Sequence, residues 1–363
     1  MIPLRDNGAL AQAGVAFSDG LQQQPGDGRR ELWHFDGRLD DGTSIGIAFC
    51  LVGTDPDDPE RYRTVVNVMF TDDDGDNVVH FTAGTVRADT VSFDQCDLVF
   101  GTNHVRGDLS TYDLHVESDD GSLVIDLHYT ALTQPWRPGD TGGITLDDNT
   151  HFADLIIARC AITGTLTRNG SPTAVTGEGY HDHQWFDTDP MATWHHWLLA
   201  HLYTDDATVI VYDLVANAAH GHVRTTWLGV FGRDGSLLHD GHDRVASSAE
   251  TVTDDSSGKE YPKRIAYTGN DPADEIVVSL DWAQTLVNED LYAAASQNGG
   301  PDTELGGASR AEYDRKGIQP TYARYVARGA VQLVQLVHDH GIIDGVGEAI
   351  CELNYPGKEP ASW

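Results

Sequence analysis

The sequence predicts an all-β protein of antiparallel sheets closed into barrels. Three observations carry this. Short apolar or alternating runs recur along the 363 residues, Asp-Gly and Asn-Gly turns separate them, and stretches of helical periodicity are scarce. In order, the strand runs cover residues 43–51, 64–70, 78–81, 122–129, 156–167, 208–215, 225–231 and 275–282. The turns are Asp41-Gly42, Asp74-Gly75, Asp120-Gly121, Asn169-Gly170 and Asp234-Gly235. Such dipeptides mark hairpins because a tight two-residue loop needs positive φ. Residues 322–336 fit helix or strand; their Val and Leu content and the turn at 338–341 favour a hairpin.

One phrase begins twice. Trp33 precedes the turn Asp40-Asp41-Gly42 and the strand through Ile45 and Phe49; Trp197 precedes Asp205-Asp206 and the strand through Val209 and Leu214. Each is followed by a second strand and an Asp-Gly turn. The repeat implies two related β domains, residues 1–189 and 190–363, joined at Asp187-Thr188-Asp189-Pro190. Aligned by spacing, Asp213 stands where the first copy has Ala48.

The formal net charge is −34, and the lysines are only Lys259, Lys263, Lys316 and Lys358. Acid runs such as Asp55-Pro56-Asp57-Asp58 read as a solvated surface. That surface repels itself in dilute buffer and is screened in concentrated salt, which suits a halophilic host and a monomer or weak dimer. Its sign excludes direct binding to nucleic acid. No run of about 18 apolar residues is present, so no stable membrane insertion is expected. The opening residues lack an apolar signal segment, so a cytoplasmic location is expected. Cys50, Cys96, Cys160 and Cys351 form no CxxC pair and read as buried free thiols.

The chemistry-bearing stretch is Gly177-Glu178-Gly179-Tyr180-His181-Asp182-His183-Gln184-Trp185. On a strand, His181, His183 and Trp185 share one face, and Tyr180, Asp182 and Gln184 the other. Two histidines at i and i+2 suit three tasks. They can bind a metal with help from His195-His196 or His338 and His340. They can transfer protons beside aromatic rings that face a cation. Or they can hydrogen-bond structurally, with Trp185 as a packing anchor. Asp213, inside an apolar run, is a second candidate acid, since burial raises a carboxyl pKa. Trp33, Trp197, Tyr180 and Tyr212 are candidate walls of a pocket, and Glu348 on a closing hairpin is a candidate lining acid.

These residues resemble a known family. The segment Glu31-Leu32-Trp33-His34-Phe35-Asp36-Gly37 is similar to the opening motif of the AttH-like and carotenoid 1,2-hydratase (hydroxyneurosporene synthase) proteins. Residues 161–167 with 177–185 resemble their central signature, and Gly329-Ala330 with residues 345–348 their closing strands. The resemblance implies two packed lipocalin-like (calycin) barrels and an apolar, often polyunsaturated small-molecule substrate. It also implies no organic cofactor, and a relation to natural-product Diels–Alderases. It matches His183 and Trp185 to the hydratase His and Trp, and Asp213 to an acid on a following strand. The hydratase pattern separates that acid from its Tyr by one residue, whereas here Tyr212 adjoins Asp213. Leu32 and His34 also replace aromatics of the opening motif.

The expected function is therefore a cofactor-independent, metal-free hydratase or cyclase on a terpenoid or polyene. Asp213 or the His181, Asp182 and His183 cluster would protonate a double bond, with Trp185 and Tyr212 facing the cation. The rival readings are a non-enzymatic lipocalin-like binder of an apolar ligand, a pericyclase, and a metal-dependent β-barrel enzyme.

Overall fold

Antiparallel pairing accounts for both sheets of the computed structural model. It describes residues 17–23, 26, 28–72, 75, 77–139, 142–147, 150–241, 245–271, 274–295, 309–335 and 342–363. The first sheet contains β1 (Arg30–Leu39), β2 (Ser44–Asp55), β3 (Asp58–Thr71), β4 (Asn77–Arg87), β5 (Cys96–Phe100) and β6 (Asn103–Gly107). It continues with β7 (Thr111–Glu117), β8 (Leu123–Ala131), β9 (Gly143–Asp147), β10 (Thr150–Arg168) and β11 (Ser171–Phe186). Its order is β4-β3-β2-β1-β11-β10-β8-β7-β6-β5, with β9 on β10. After a short helix α1 (Pro190–Thr193), the second sheet contains β12 (Trp194–Thr204), β13 (Ala207–Ala216), β14 (Arg224–Gly232), β15 (Leu237–Gly241) and β16 (Val245–Thr253). It ends with β17 (Glu260–Asp271), β18 (Asp274–Glu289), β19 (Thr321–Gln335) and β20 (Ile342–Tyr355). Its order is β15-β14-β13-β12-β20-β19-β18-β17-β16. Two more helices, α2 (Leu291–Ala294) and α3 (Arg310–Lys316), lie between β18 and β19.

The two sheets close alike. In each, the first strand pairs with both the second and the last: β1 with β2 and β11, β12 with β13 and β20. The outer strands then curl together, β4 toward β5 and β14 toward β16. Each forms a barrel-like domain with its own core. Trp33, Phe35, Ile47, Phe49, Tyr112 and Tyr129 fill the first, and Leu198, Val209, Val211, Tyr267, Tyr325 and Leu353 the second.

The hairpin turns explain their own residues. Asn169 and Gly170 both have positive φ, 49° and 78°, which the β10–β11 turn requires. Residues 322–335 form strand rather than helix, and Val334 pairs with Ile342 across a hairpin; Leu336 lies outside the described residues. His338, His340, Gly341 and Asp74 lie outside the described residues. The four cysteines are buried and free. Among the described residues no helix is long and apolar enough to cross a membrane.

The repeat alignment needs a shift of one residue. Asp213 pairs with Leu198 and shares the inward face of Val209 and Val211, while Ala48 lies on the outward face of β2 beside Cys50. By face, Asp213 corresponds to Phe49, and Tyr212 to Ala48. Aligning the acidic turns Asp40-Asp41 and Asp205-Asp206 misled because the second hairpin is one residue shorter: Trp33 pairs with Phe49, but Leu198 with Asp213.

The barrels pack through a third apolar cluster. Phe152 sits at its centre, stacked on Phe186 at 4.6 Å and on Trp227 at 5.6 Å, with Tyr212 edge-on at 5.7 Å. Trp136 reaches across to Phe231 and lies over Gly229, where a Cβ would stand 2.7 Å from its ring. Polar ties flank this cluster. The Tyr203 hydroxyl donates to the Gly179 carbonyl at 2.7 Å, and Lys316 on α3 pairs with Asp189 at 2.7 Å. The deepest tie is Arg324 on β19. It is fully buried, hydrogen-bonds Asp36 of the first barrel and forms an ion pair, 3.2 Å from Nε, with Glu352 of its own. Removing one partner of such a buried set leaves uncompensated charge, which costs about 3–5 kcal/mol. Arg324→Ala is therefore expected to lower the urea-unfolding free energy by about that much. Arg324→Met combined with Asp36→Asn and Glu352→Gln should restore most of the loss.

Candidate functional site between the barrels

The central motif occupies β11, between β1 and β10. Its two glycines are forced by close approach: a Cβ on Gly177 would lie 2.4 Å from the Arg38 carbonyl oxygen, and one on Gly179 2.5 Å from that of Asp36. Beyond them the strand alternates, and each face has a separate environment.

His181 and His183 point into the first barrel, where residues 17–23 close it. Asp19 reaches both rings, at 3.3 Å from His181 Nε2 and 3.1 Å from His183 Nδ1. Glu31 takes His183 Nε2 at 2.8 Å and also accepts the Gln22 and Gln23 backbone N–H groups. The Tyr112 hydroxyl and the Trp33 indole donate to Asp19 at 2.8 and 2.9 Å. Trp33 stacks on His183, and Phe35 on His181, both at 4.2 Å. Burial alone would lower the His183 pKa, but Asp19 and Glu31 outweigh it and hold the value up at about 9. Asp19 is likewise buried, yet the two imidazoles keep its carboxyl well below the usual range. Burial pushes Glu31 up. This face is a buried latch for the N-terminal segment.

The other face meets the second barrel. Asp182 Oδ2 accepts from the Tyr180 hydroxyl at 2.8 Å and from Gln184 Nε2 at 2.9 Å. Gln184 Oε1 accepts from the Tyr212 hydroxyl at 3.2 Å, so the chain of bonds crosses from β11 to β13. Tyr180 stacks on His201 of β12 at 4.9 Å. Beside Asp182, on β10, stands Asp154. It is fully buried, and neither of its oxygens has a hydrogen-bond partner among the described residues. Burial, and then the neighbouring Asp182, push its pKa far up. Burial of this kind favours the neutral carboxyl over the carboxylate.

Gln184 and Tyr212 open onto a narrow interbarrel cleft of ≈ 530 Å³, counting its open mouth. Leu32, Phe186, Pro190, Trp197 and Leu199 give it apolar walls. Arg30, His34, Glu352 and Asn354 supply its polar side. Behind that side lies an ionic group: His34 Nε2 is 3.7 Å from Glu352, His201 Nε2 is 3.3 Å from Asp36, and Arg324 forms ion pairs with both carboxylates. Among the described residues, His34, Asp36 and Glu352 are the group of three whose donor atoms lie close enough to share a metal ion. Arg324 already brings the positive charge between those carboxylates, so the set does not fit a further cation.

The expected site residues divide accordingly. Tyr180, Asp182, Tyr212 and Trp197 gather at the cleft or directly behind it. His181, His183 and Trp33 belong to the latch inside the first barrel. Trp185 is half-buried on the latch side, 5.2 Å from the His183 ring, with the Arg137 guanidinium 5.0 Å from its own. Asp213 does not join them. It points into the second barrel and is bound by Arg224 through Nε at 2.8 Å, by Thr226 and Tyr267 at 3.1 Å, and again by Arg224 through Nη2. A strand has period two, so an acid sharing the Tyr212 face would stand at position 214, which is leucine. Glu348 is exposed on the outer face opposite Arg328, not in a pocket. His195 and His196 contact each other at 2.7 Å beneath residues 356–363 and offer His183 no shared ligand.

The sequence reading passed over Asp154, His34, Glu352 and Arg324. The signal was a charge within an apolar run, the same signal that singled out Asp213.

The latch sets a pH dependence. The folded His183 value lies above its ordinary 6.5, so its contribution is complete below about pH 6.5 and lost as pH rises through about 9. Asp19, depressed, acts at the acid end in the opposite sense. Denaturation midpoints should therefore fall between pH 6.5 and 9, with a loss on the order of 3 kcal/mol. His183→Gln should flatten that slope. A variant as steep as the wild type would assign the slope to other groups.

No protein-family model matches the chain, and no curated protein matches it by sequence. Solved structures do match it. An AttH-type protein of Nitrosomonas europaea superposes with a TM-score of 0.58 at 14% identity, over 95% of this chain and 99% of its own. CghA, also solved with Sch210972, gives 0.61 at 15% identity over 95% and 97%. Kievitone hydratase from Nectria haematococca gives 0.54 at 13% identity over 94% and 96%. At such identities the likeness is one of fold: this chain has the double-barrel architecture of these three proteins.

Proposed function

We propose that the interbarrel cleft binds an apolar, unsaturated small molecule of the terpenoid or polyene class. There the protein catalyses its hydration or cyclisation by protonating a double bond, without an organic cofactor. The observation that carries this reading is Asp154, a carboxyl fully buried beside Asp182 and paired across the strands with Gln184 of the cleft wall, where burial pushes its pKa up. Protonating an alkene needs an acid kept out of water and preorganised. The acid adjoins the cleft through its cross-strand neighbour Gln184, which with Tyr212 lines that space. Trp197, Phe186 and Tyr212 offer ring faces to the cation that follows. The double-barrel fold shared with a hydratase supports the reading by analogy alone. On it, the division at residues 189 and 190 sets one barrel on each side of the substrate. A pericyclic reaction would use the same apolar walls but would have no need of Asp154. A pure binder would likewise have no need of an acid there.

The test is incubation with prenyl and carotenoid precursors in concentrated salt, chosen for the net charge of −34. A product heavier by one water supports hydration, and an isomeric product supports cyclisation. Asp154→Asn and Asp182→Asn are each expected to lower kcat by about 10²–10⁴-fold with the fold intact. Unchanged turnover in both would overturn the assignment, and tight retention without conversion would favour a carrier. Asp213→Asn should weaken the fold rather than the chemistry, because it breaks a buried pair with Arg224.

A further inference from the structure

Hydration through a cation needs a base as well as an acid, and a second proton-handling pair stands beside the first, His34 being the cross-strand partner of Asp182 on the same sheet face. His34 on β1 and Glu352 on β20 both line the cleft. Their nearest atoms, Nε2 and Oε1, are 3.7 Å apart. That is too long for a direct hydrogen bond but suits one water shared at about 2.8 Å from each. The surrounding charges are Asp36 on the same strand, Arg324 on β19, His201 on β12, Asp182 and Tyr180 on β11, and Arg30 at the mouth. Arg324 compensates one of the carboxylates Asp36 and Glu352. The second leaves a net negative charge in a buried place, which one proton neutralises. His34, beside Glu352 and lining the cleft, is placed to accept a proton released there.

We infer that His34 and Glu352 hold the water that adds to the cation and take up its proton. This rests on the function proposed above. The alkene electron pair takes the proton from the Asp154–Asp182 side. A lone pair of the water oxygen then forms the C–O bond, and the proton that water releases goes to His34, with Glu352 stabilising the imidazolium. One proton leaves the acid wall and one arrives at the base wall, so the sum is alkene plus water to alcohol. Proton exchange with solvent resets both walls.

Two measurements test it. In the resting protein, imidazole NMR should show His34 titrating between about pH 5 and 8, with its midpoint lower in Glu352→Gln. A His34 fixed in one protonation state, or indifferent to Glu352→Gln, overturns the pair. With a turned-over substrate, His34→Gln should reduce water addition about 10²-fold. It should leave acid-driven deuterium uptake from D₂O into the alkene in place, so that product shifts from alcohol toward isomer. Equal loss of both reactions, or undiminished hydration, overturns the assignment. Asp154→Asn abolishes both and reports on the acid instead. Failure of every polyene to react counts against the proposed function, and the NMR measurement then decides on the pair alone.

Discussion

Between Gly179 and Gln184, strand β11 has no face toward water. It is hydrogen-bonded on both edges, by β1 and β10, with the interior of the first barrel on one side and the second barrel on the other. Strand alternation therefore sorts its side chains between two dry compartments. Every polar group it carries must find a partner in one of them, because an unpaired buried polar group is costly. The latch around Asp19 and the bonded chain from Asp182 to Tyr212 are the two answers to that single constraint.

The same pressure shapes the interface. An all-apolar seam between two barrels would be stable yet tolerant of sliding. The seam instead carries Arg324, Asp36, Glu352, His34 and His201, whose ion pairs join the two barrels in this docking arrangement. The cleft exists where this polar band meets the aromatic cluster around Phe152. A hydrocarbon wall and a titratable wall thus face each other across one narrow space.

Much of the fold was legible in the sequence. Period-two apolar runs and Asp-Gly or Asn-Gly turns mark strands through local physics alone, and the eight runs read from them are all strands in the structure. The sorting of β11 into two sets was legible for the same reason. Alternation, however, fixes which residues lie together and not which compartment they face. His181 and His183 accordingly read as a pocket wall although they bind the N-terminal segment. Asp213 and Asp154 look alike in sequence, each an acid among apolar residues. Only the three-dimensional neighbours, Arg224 for one and Asp182 for the other, separate a paired carboxylate from an acid whose pKa is pushed up. Arg324 and Asp36 lie 288 residues apart, and no local pattern links them.

That separation has a consequence for how the chain is made. The first sheet needs no residue beyond Phe186, so its barrel can close while the second is still being synthesised. During that interval Asp36 has no guanidinium and stands in water on the barrel's outer wall. It becomes buried only when β19 arrives with Arg324. Docking at a wrong offset, or against another chain's barrel, would bury the carboxylate without its counter-charge. The ion pair thus acts as a checkpoint on assembly, admitting the partner barrel in one register and penalising the others.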